Sequence, residues 1–198
     1  MPNHSPTPDP KVISKLEAVE EQLVEAIHTL CAVEALAEAW REAKSSRPEL
    51  LGDHFLFGTV YNALWDSLVV ALGRIWDDDK RSASLPALAM AIKGTDGAVD
   101  EREYLRKGVH PQRAPLYARR IHVVAHRSHP LPEKAEDTHV VDTVVARNDV
   151  TQIMDRLRLL SERLGRAPMH WGHTFIEARE NARTSLERWR RGDPEGHP

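Results

Sequence analysis

Residues 10–45 read PKVISKLEAVEEQLVEAIHTLCAVEALAEAWREAKS, and this run makes the chain helical. Leu16, Val19, Leu23, Ala26, Leu30, Val33, Ala37 and Trp40 step by threes and fours. That spacing returns to one side of a 3.6-residue helix and gives a continuous apolar stripe. Glu17, Glu20, Glu21, Glu25 and Glu38 fall largely off it. Asp9 is placed to cap the helix, Pro10 suits its first turn, and Ser14 with Glu17 repeats a capping-box pattern one turn later. Arg47-Pro48 disfavours continuation past about Ser45.

The same rhythm recurs downstream. Phe57, Tyr61, Leu64, Leu68, Leu72 and Ile75 predict a helix from Asp53 to about Trp76. A short apolar helix is expected over Leu85–Ile92, closed by Gly94, and a polar connection runs from Gly94 to Pro115. Pro115 opens a helix over 116–127 that Pro130 and Pro132 terminate. The β-branched run Val140, Val141, Thr143, Val144, Val145 predicts a short strand or an extended loop. Asn148 or Asp149 then caps a helix carrying Val150, Ile153, Leu157, Leu160 and Leu164, stopped near Gly165. A last helix is predicted over Trp171–Arg191, with Phe175, Ala178, Ala182, Leu186 and Trp189 on one side. Strand-period alternation is nearly absent, so the fold expected is an all-α bundle of about five or six helices. One domain over residues 11–191 is expected between disordered tails at 1–10 and 192–198.

Composition narrows the function classes. The 198 residues are 41% hydrophobic and 29% charged, ordinary values for a globular chain, with a net charge of −3. That charge argues against non-specific coating of nucleic acid, so any phosphate contact must come from a local basic patch. The one cysteine, Cys31, permits no intramolecular disulfide and suits a reducing cytoplasm, where it reads as an inert thiol in the first helix. The proline-rich N-terminus is neither a signal peptide nor an anchor, and no apolar run is long enough to span a bilayer, so no membrane partner is expected.

The basic patch lies between Arg102 and His129, where seven Lys and Arg face one acid, Glu103. Its centre is Tyr117-Ala118-Arg119-Arg120-Ile121-His122-Val123-Val124-Ala125-His126-Arg127. On a helix Arg119, His122 and His126 share one stripe, and Arg120 sits on the adjacent one. Ile121, Val124 and Ala125 make the opposite, apolar side. The residue types suit RNA cleavage without a metal or cofactor. RNA carries its own nucleophile, the 2′-hydroxyl. A histidine titrates near neutral pH and moves protons to and from such oxygens. A guanidinium holds the strained phosphate with two parallel donors. One arginine and one histidine per subunit, doubled by a two-fold axis, supply the set.

Other constellations have their own readings. Asn62, Asp66 and Arg74 are polar residues in an apolar helix. Asp66 either reaches the cleft and orients His126 or an arginine, or forms a structural hydrogen bond inside the bundle. Asp77, Asp78 and Asp79 carry carboxylates that hard cations take, but adjacent residues diverge, which favours a solvated turn. His122 and His126 have the four-residue spacing of zinc ligands without the intervening glutamate of the metalloprotease motif, so a zinc hydrolase is the runner-up enzyme class. His170 and His173 flank Trp171 and read as a helix start. The five tryptophans suit core and dimer-interface packing, and an exposed one offers a surface for a base. The basic end of the last helix, with Arg183, Arg188, Arg190 and Arg191, complements the helix dipole.

Two blocks carry a resemblance to a known family. The first runs from Leu64-Trp65-Asp66 through Leu72-Gly73-Arg74-Ile75-Trp76-Asp77-Asp78-Asp79-Lys80-Arg81-Ser82-Ala83-Ser84-Leu85. The second is Arg120-Ile121-His122-Val123-Val124-Ala125-His126. Together they resemble the HEPN superfamily of helical nucleic-acid-processing proteins, in its AbiU-like, abortive-infection branch. The resemblance implies a HEPN-like bundle, a homodimer whose 116–127 helices face each other, and metal-independent endoribonuclease activity in active members. By the family pattern Arg120 is the phosphate clamp and His126 the acid/base, with Arg119 as a second donor. The implied partners are RNA, a second copy, and an antitoxin or other protein. Ile121 stands where the family usually has a polar residue, and Arg127-Ser128 where an acidic residue often follows. Both features suit an inactive relative that binds RNA, a nucleotide or a protein through the same groove.

Overall fold

A computed structural model describes residues 9–46, 54–77, 81–92 and 143–191. Five helices make up the described chain: α1 (Pro10–Ser46), α2 (His54–Ile75), α3 (Leu85–Ala91), α4 (Thr143–Arg163) and α5 (Trp171–Arg191). No strand occurs among the described residues. The fold is an all-α bundle with α1 at its centre, contacted by each of the other four helices. The expected helix over 116–127, the Gly94–Pro115 connection, residues 1–8 and the C-terminal tail lie outside the described residues, whereas Asp9 and Pro10, expected in the N-terminal tail, cap and open α1.

Helix α1 starts where its capping residues place it. The Asp9 carboxylate accepts from Lys11 N at 2.9 Å, and the Asp9 carbonyl accepts from Val12 N and Ile13 N at 2.9 and 3.2 Å. Leu16, Val19, Leu23, Ala26, Leu30 and Val33 are fully buried, as their spacing requires. Toward the C-terminal end the buried line shifts to Leu36 and Ala39, leaving Ala37 and Trp40 half-buried. Contact with four helices widens the buried face, so Ile27 and Cys31 are inside as well.

The joint between α2 and α3 rests on the block that runs into the Ser84-Leu85 step. Ser84 is fully buried and caps α3, its Oγ accepting from Ala87 N at 3.3 Å and from the Ser82 hydroxyl at 3.1 Å. It donates in turn to the Asp77 carbonyl at 2.6 Å. Lys15 Nζ and Gln22 Nε2 of α1 donate to the carbonyls of Ser82 and Ala83, both at 3.1 Å. The serine therefore closes a turn that α1 holds from outside.

Helix α4 corrects the sequence reading. Thr143, Val144 and Val145 form its first turn, not a strand or an extended loop, and Asp149 lies inside the helix, not at its cap. The cause is tertiary. Ala146, Val150, Ile153, Leu157 and Leu160 are all buried at helical spacing, and Val145 packs against the core beside them. Burial of that stripe outweighs the modest strand preference of three β-branched residues. The Asp149 carboxylate, 1% exposed, accepts instead from Trp76 Nε1, one residue past α2, at 3.1 Å to both oxygens. The helix ends as expected at Gly165, whose φ of 66° supplies the left-handed residue, with Arg166 N bonding back to the Ser161 carbonyl at 2.9 Å.

Glu20 is a second correction. Placed off the apolar stripe by spacing, it is 3% exposed and lies 3.2 Å from the Arg166 guanidinium beyond α4. Burial raises its pKa above the ordinary carboxylate range; Arg166 opposes the shift and Glu17 adds to it. A carboxyl that holds its proton more tightly when folded contributes stability below its unfolded pKa and loses it as pH rises through the folded one. Thermal melts of Glu20→Gln and the parent at pH 4 and pH 7 should therefore show the variant gaining on the parent at the higher pH. A parent that gains on the variant would mean that Arg166 outweighs burial.

Among the described residues no helix is long and apolar enough to cross a membrane.

Candidate functional site

Arg119, Arg120, His122 and His126 lie outside the described residues, so of the expected site only Asp66 has a described position. Asp66 sits in the middle of α2 between the tryptophan at 65 and Ser67. It is 8% exposed and is not free of interactions. Its proposed companions do not follow it inward. Asn62 and Arg74 are exposed, so the three do not form one buried constellation. The burial of Asp66 has a helical cause: it neighbours Trp65, 4% exposed, and precedes Leu68 and Val69, which face the core.

Beyond Asp66 the described surface includes a polar groove, a hollow at the start of α5 and an apolar trough. The first is a polar groove of about 640 Å³ between α1 and α5. Glu34, Glu38 and Glu42 line one wall, one helical turn apart, and Arg179, Arg183 and Arg190 line the other. The charges meet across it: Arg190 reaches Glu42 at 3.5 Å, and Arg147 of α4 makes a two-armed contact with Glu34, its Nε at 3.0 Å. The Arg147 guanidinium also lies 5.7 Å from the centre of the Phe175 ring, which fixes it against α5. Sequence reading assigned the basic end of α5 to the helix dipole alone. The missed acids lie 148 residues away in the case of Arg190 and Glu42, a pairing no local pattern reveals. With Glu180 and Glu187 beside the arginines, the lining holds five glutamates against three arginines, so the groove offers a phosphate no surplus of cations.

Cys31 lines the same groove from α1. Burial pushes its thiol pKa up, Glu34 adds to the shift, and Arg179 and Arg147 counter it. A thiol held protonated is a poor nucleophile, in keeping with the inert role expected from sequence.

The second concavity, about 470 Å³, lies at the start of α5 beside Met154, Asp155, His170 and His173. Both histidines are exposed. They frame the helix start as their sequence position suggested, and among the described residues no group of three His, Cys, Asp or Glu is placed to hold a metal ion. The third is an apolar trough of about 390 Å³ between α2 and α5, floored by α1. Trp189, expected on the packed side of α5, stands 43% exposed at its edge, because α2 approaches α5 there through Phe57 and leaves the outer ring face open.

Comparison with known proteins identifies a family. The family model HEPN_AbiU2, described as AbiU2, matches residues 9–187. That range takes in all five described helices up to α5 residue 187, the Ser84 joint and the Arg120–His126 segment. No curated protein and no solved structure gives a significant match.

Proposed function

The chain belongs to the AbiU2 family of HEPN proteins, and from that membership we propose that it is a metal-independent endoribonuclease of bacterial or phage defence, of the toxin type, acting as a cytoplasmic homodimer. The observation that carries this reading is the family match over 9–187 falling on a chain that keeps arginine and histidine six apart at Arg120 and His126.

The chemistry runs through the substrate's own hydroxyl. His126 takes the proton of a ribose 2′-hydroxyl, and the freed oxygen attacks the adjacent phosphorus. Arg120, with Arg119 as second donor, holds the non-bridging oxygens as negative charge builds on them. The bond from phosphorus to the 5′ oxygen breaks, and that oxygen collects a proton from the imidazole of the second copy. The products are a 2′,3′-cyclic phosphate and a 5′-hydroxyl. His122, one turn from His126, lines the same stripe. Asp66, buried on α2, is the group assigned to orient His126 or an arginine. No metal takes part, so protein treated with EDTA should cut RNA at an unchanged rate and leave cyclic phosphate ends. Loss of cutting on chelation, restored by zinc, would move the assignment to a metal hydrolase that uses His122 and His126.

A second reading is favoured by Ile121 and Ser128, which replace polar and acidic residues of the family pattern. In it the protein is a catalytically inactive HEPN-like dimer that binds RNA, a nucleotide, or an antitoxin or other protein through the same cationic segment. RNA binding without cleavage by the parent protein, unchanged in His126→Ala, would decide for it.

A further inference from the structure

Two of the chain's four methionines meet at one place. The hollow of about 470 Å³ at the start of α5 is lined by Met154 of α4 and by Met169, His170 and His173 at the entry to α5. Met154 is half-buried, Met169 is 39% exposed and both histidines are exposed, so a dissolved ion has access to all four. His170 and His173 are three residues apart, and Met169 and His173 four, spacings that bring side chains to one face of a helical turn. His173 N donates to the His170 carbonyl at 3.3 Å, which holds that turn. Among the described residues neither imidazole makes a hydrogen bond or an ion pair, so no protein group competes for the ring nitrogens.

The donor set selects the ion. Thioether sulfur is neutral and polarisable, and together with imidazole it suits the soft ion Cu(I). Zinc adds thiolate or carboxylate to its histidines, and calcium and magnesium require oxygen ligands. Asp155 is the one carboxylate at the hollow, and it does not complete such a set: no three His, Cys, Asp or Glu are placed to hold an ion among the described residues. Charge favours the same choice. The first turn of α5 is the positive end of the helix dipole, and a monovalent ion meets half the repulsion there that a divalent one would. Arg158 also borders the hollow, but Glu162 engages its guanidinium at 3.0 Å, and Asp155 adds an opposing charge. Trp171, 6% exposed, lines the hollow as well and supplies the ring type that attracts cations best.

We propose that this hollow binds one soft monovalent ion, Cu(I) with Ag(I) as its air-stable analogue, through the sulfurs of Met154 and Met169 and a ring nitrogen each of His170 and His173. The ion ties α4 to the start of α5 across residues 166–170, which carry no helix. It takes no part in RNA cleavage, so the site stands or falls apart from the nuclease reading.

Methyl resonances of protein carrying ¹³C-methyl methionine test it, in chloride-free buffer at pH 7.5. One equivalent of Ag(I) should move the signals of Met154 and Met169 and leave that of Met90, on α3, in place. Zn(II) at the same concentration should move none of them. Met169→Leu and His173→Ala alter exposed side chains, so each should keep its helical circular dichroism and weaken Ag(I) binding at least about 10-fold. Anaerobic competition for Cu(I) with bicinchoninate should rank the parent above both variants. Unmoved Met154 and Met169 signals, an affinity unchanged in both variants, or an equal response to Zn(II) would overturn the assignment.

Discussion

His126→Ala is expected to lower the rate of RNA cleavage by about 10³-fold, while dimer mass and helical content stay at parent values. The size follows from the two duties placed on one imidazole. General acid and base catalysis by a positioned side chain contributes about 10²–10⁴-fold. Symmetry removes both histidines at once, leaving neither an acceptor for the 2′-hydroxyl proton nor a donor for the leaving oxygen. Arg120→Ala is expected to cost about 10²-fold, and Arg120→Lys nearly as much, because a lysine keeps the charge but loses the two parallel donors that fit a phosphate. Arg119→Ala should cost less than Arg120→Ala. Helix geometry places Arg119 on the stripe of His126, seven residues on, whereas the family pattern singles out Arg120. A larger loss at Arg119 would show that the stripe, not the pattern, sets the clamp. Full cleavage by His126→Ala would remove His126 as the acid and base of the reaction.

Much of the scaffold was legible because its helices bury one stripe each. The predicted limits of α2, α3 and α5 fall within a residue of the observed ones, since Phe57 to Ile75 and Leu85 to Ile92 repeat at helical spacing and Trp171 opens the last helix. The start of α4 was not legible. Val144 and Val145 favour strands and Asn148 and Asp149 favour caps, and both tendencies are local. What overrides them is the contact of Ala146 and Val150 with the core, which depends on a helix more than a hundred residues earlier. The buried ion pair of Glu20 with Arg166 escaped for the same reason. A glutamate one residue off an apolar stripe reads as solvated until its partner is known. The site divides along similar lines. Arginine and histidine spacing can be read within eleven residues, whereas the burial of Asp66 beside exposed Asn62 and Arg74 depends on which way α2 leans on α1.

The residue that misled the reading of α4 should also be among the most costly to remove. Asp149 is 1% exposed and accepts the Trp76 indole N–H at 3.1 Å on both carboxylate oxygens. This contact ties α4 to the end of α2, next to the Ser84 joint. Asp149→Ala removes a hydrogen bond to a charged group and leaves a buried N–H short of its acceptor, together about 3 kcal/mol. For a chain of this length that lowers the melting temperature by about 6–12 °C. Asp149→Asn keeps an acceptor oxygen and should lose less than half as much. Trp76→Phe is also costly, because it leaves a buried carboxylate without one of its donors. The pair should nevertheless be strongly non-additive. Once Asp149 is alanine, the indole N–H of Trp76 has lost that acceptor, so its removal relieves a penalty instead of adding one. Asp149→Ala combined with Trp76→Phe should therefore be more stable than the sum of the single losses predicts, by at least about 1 kcal/mol in denaturant melts. Strictly additive losses would show that the two side chains hold α2 and α4 independently and that packing alone, without this polar tie, sets the position of α4.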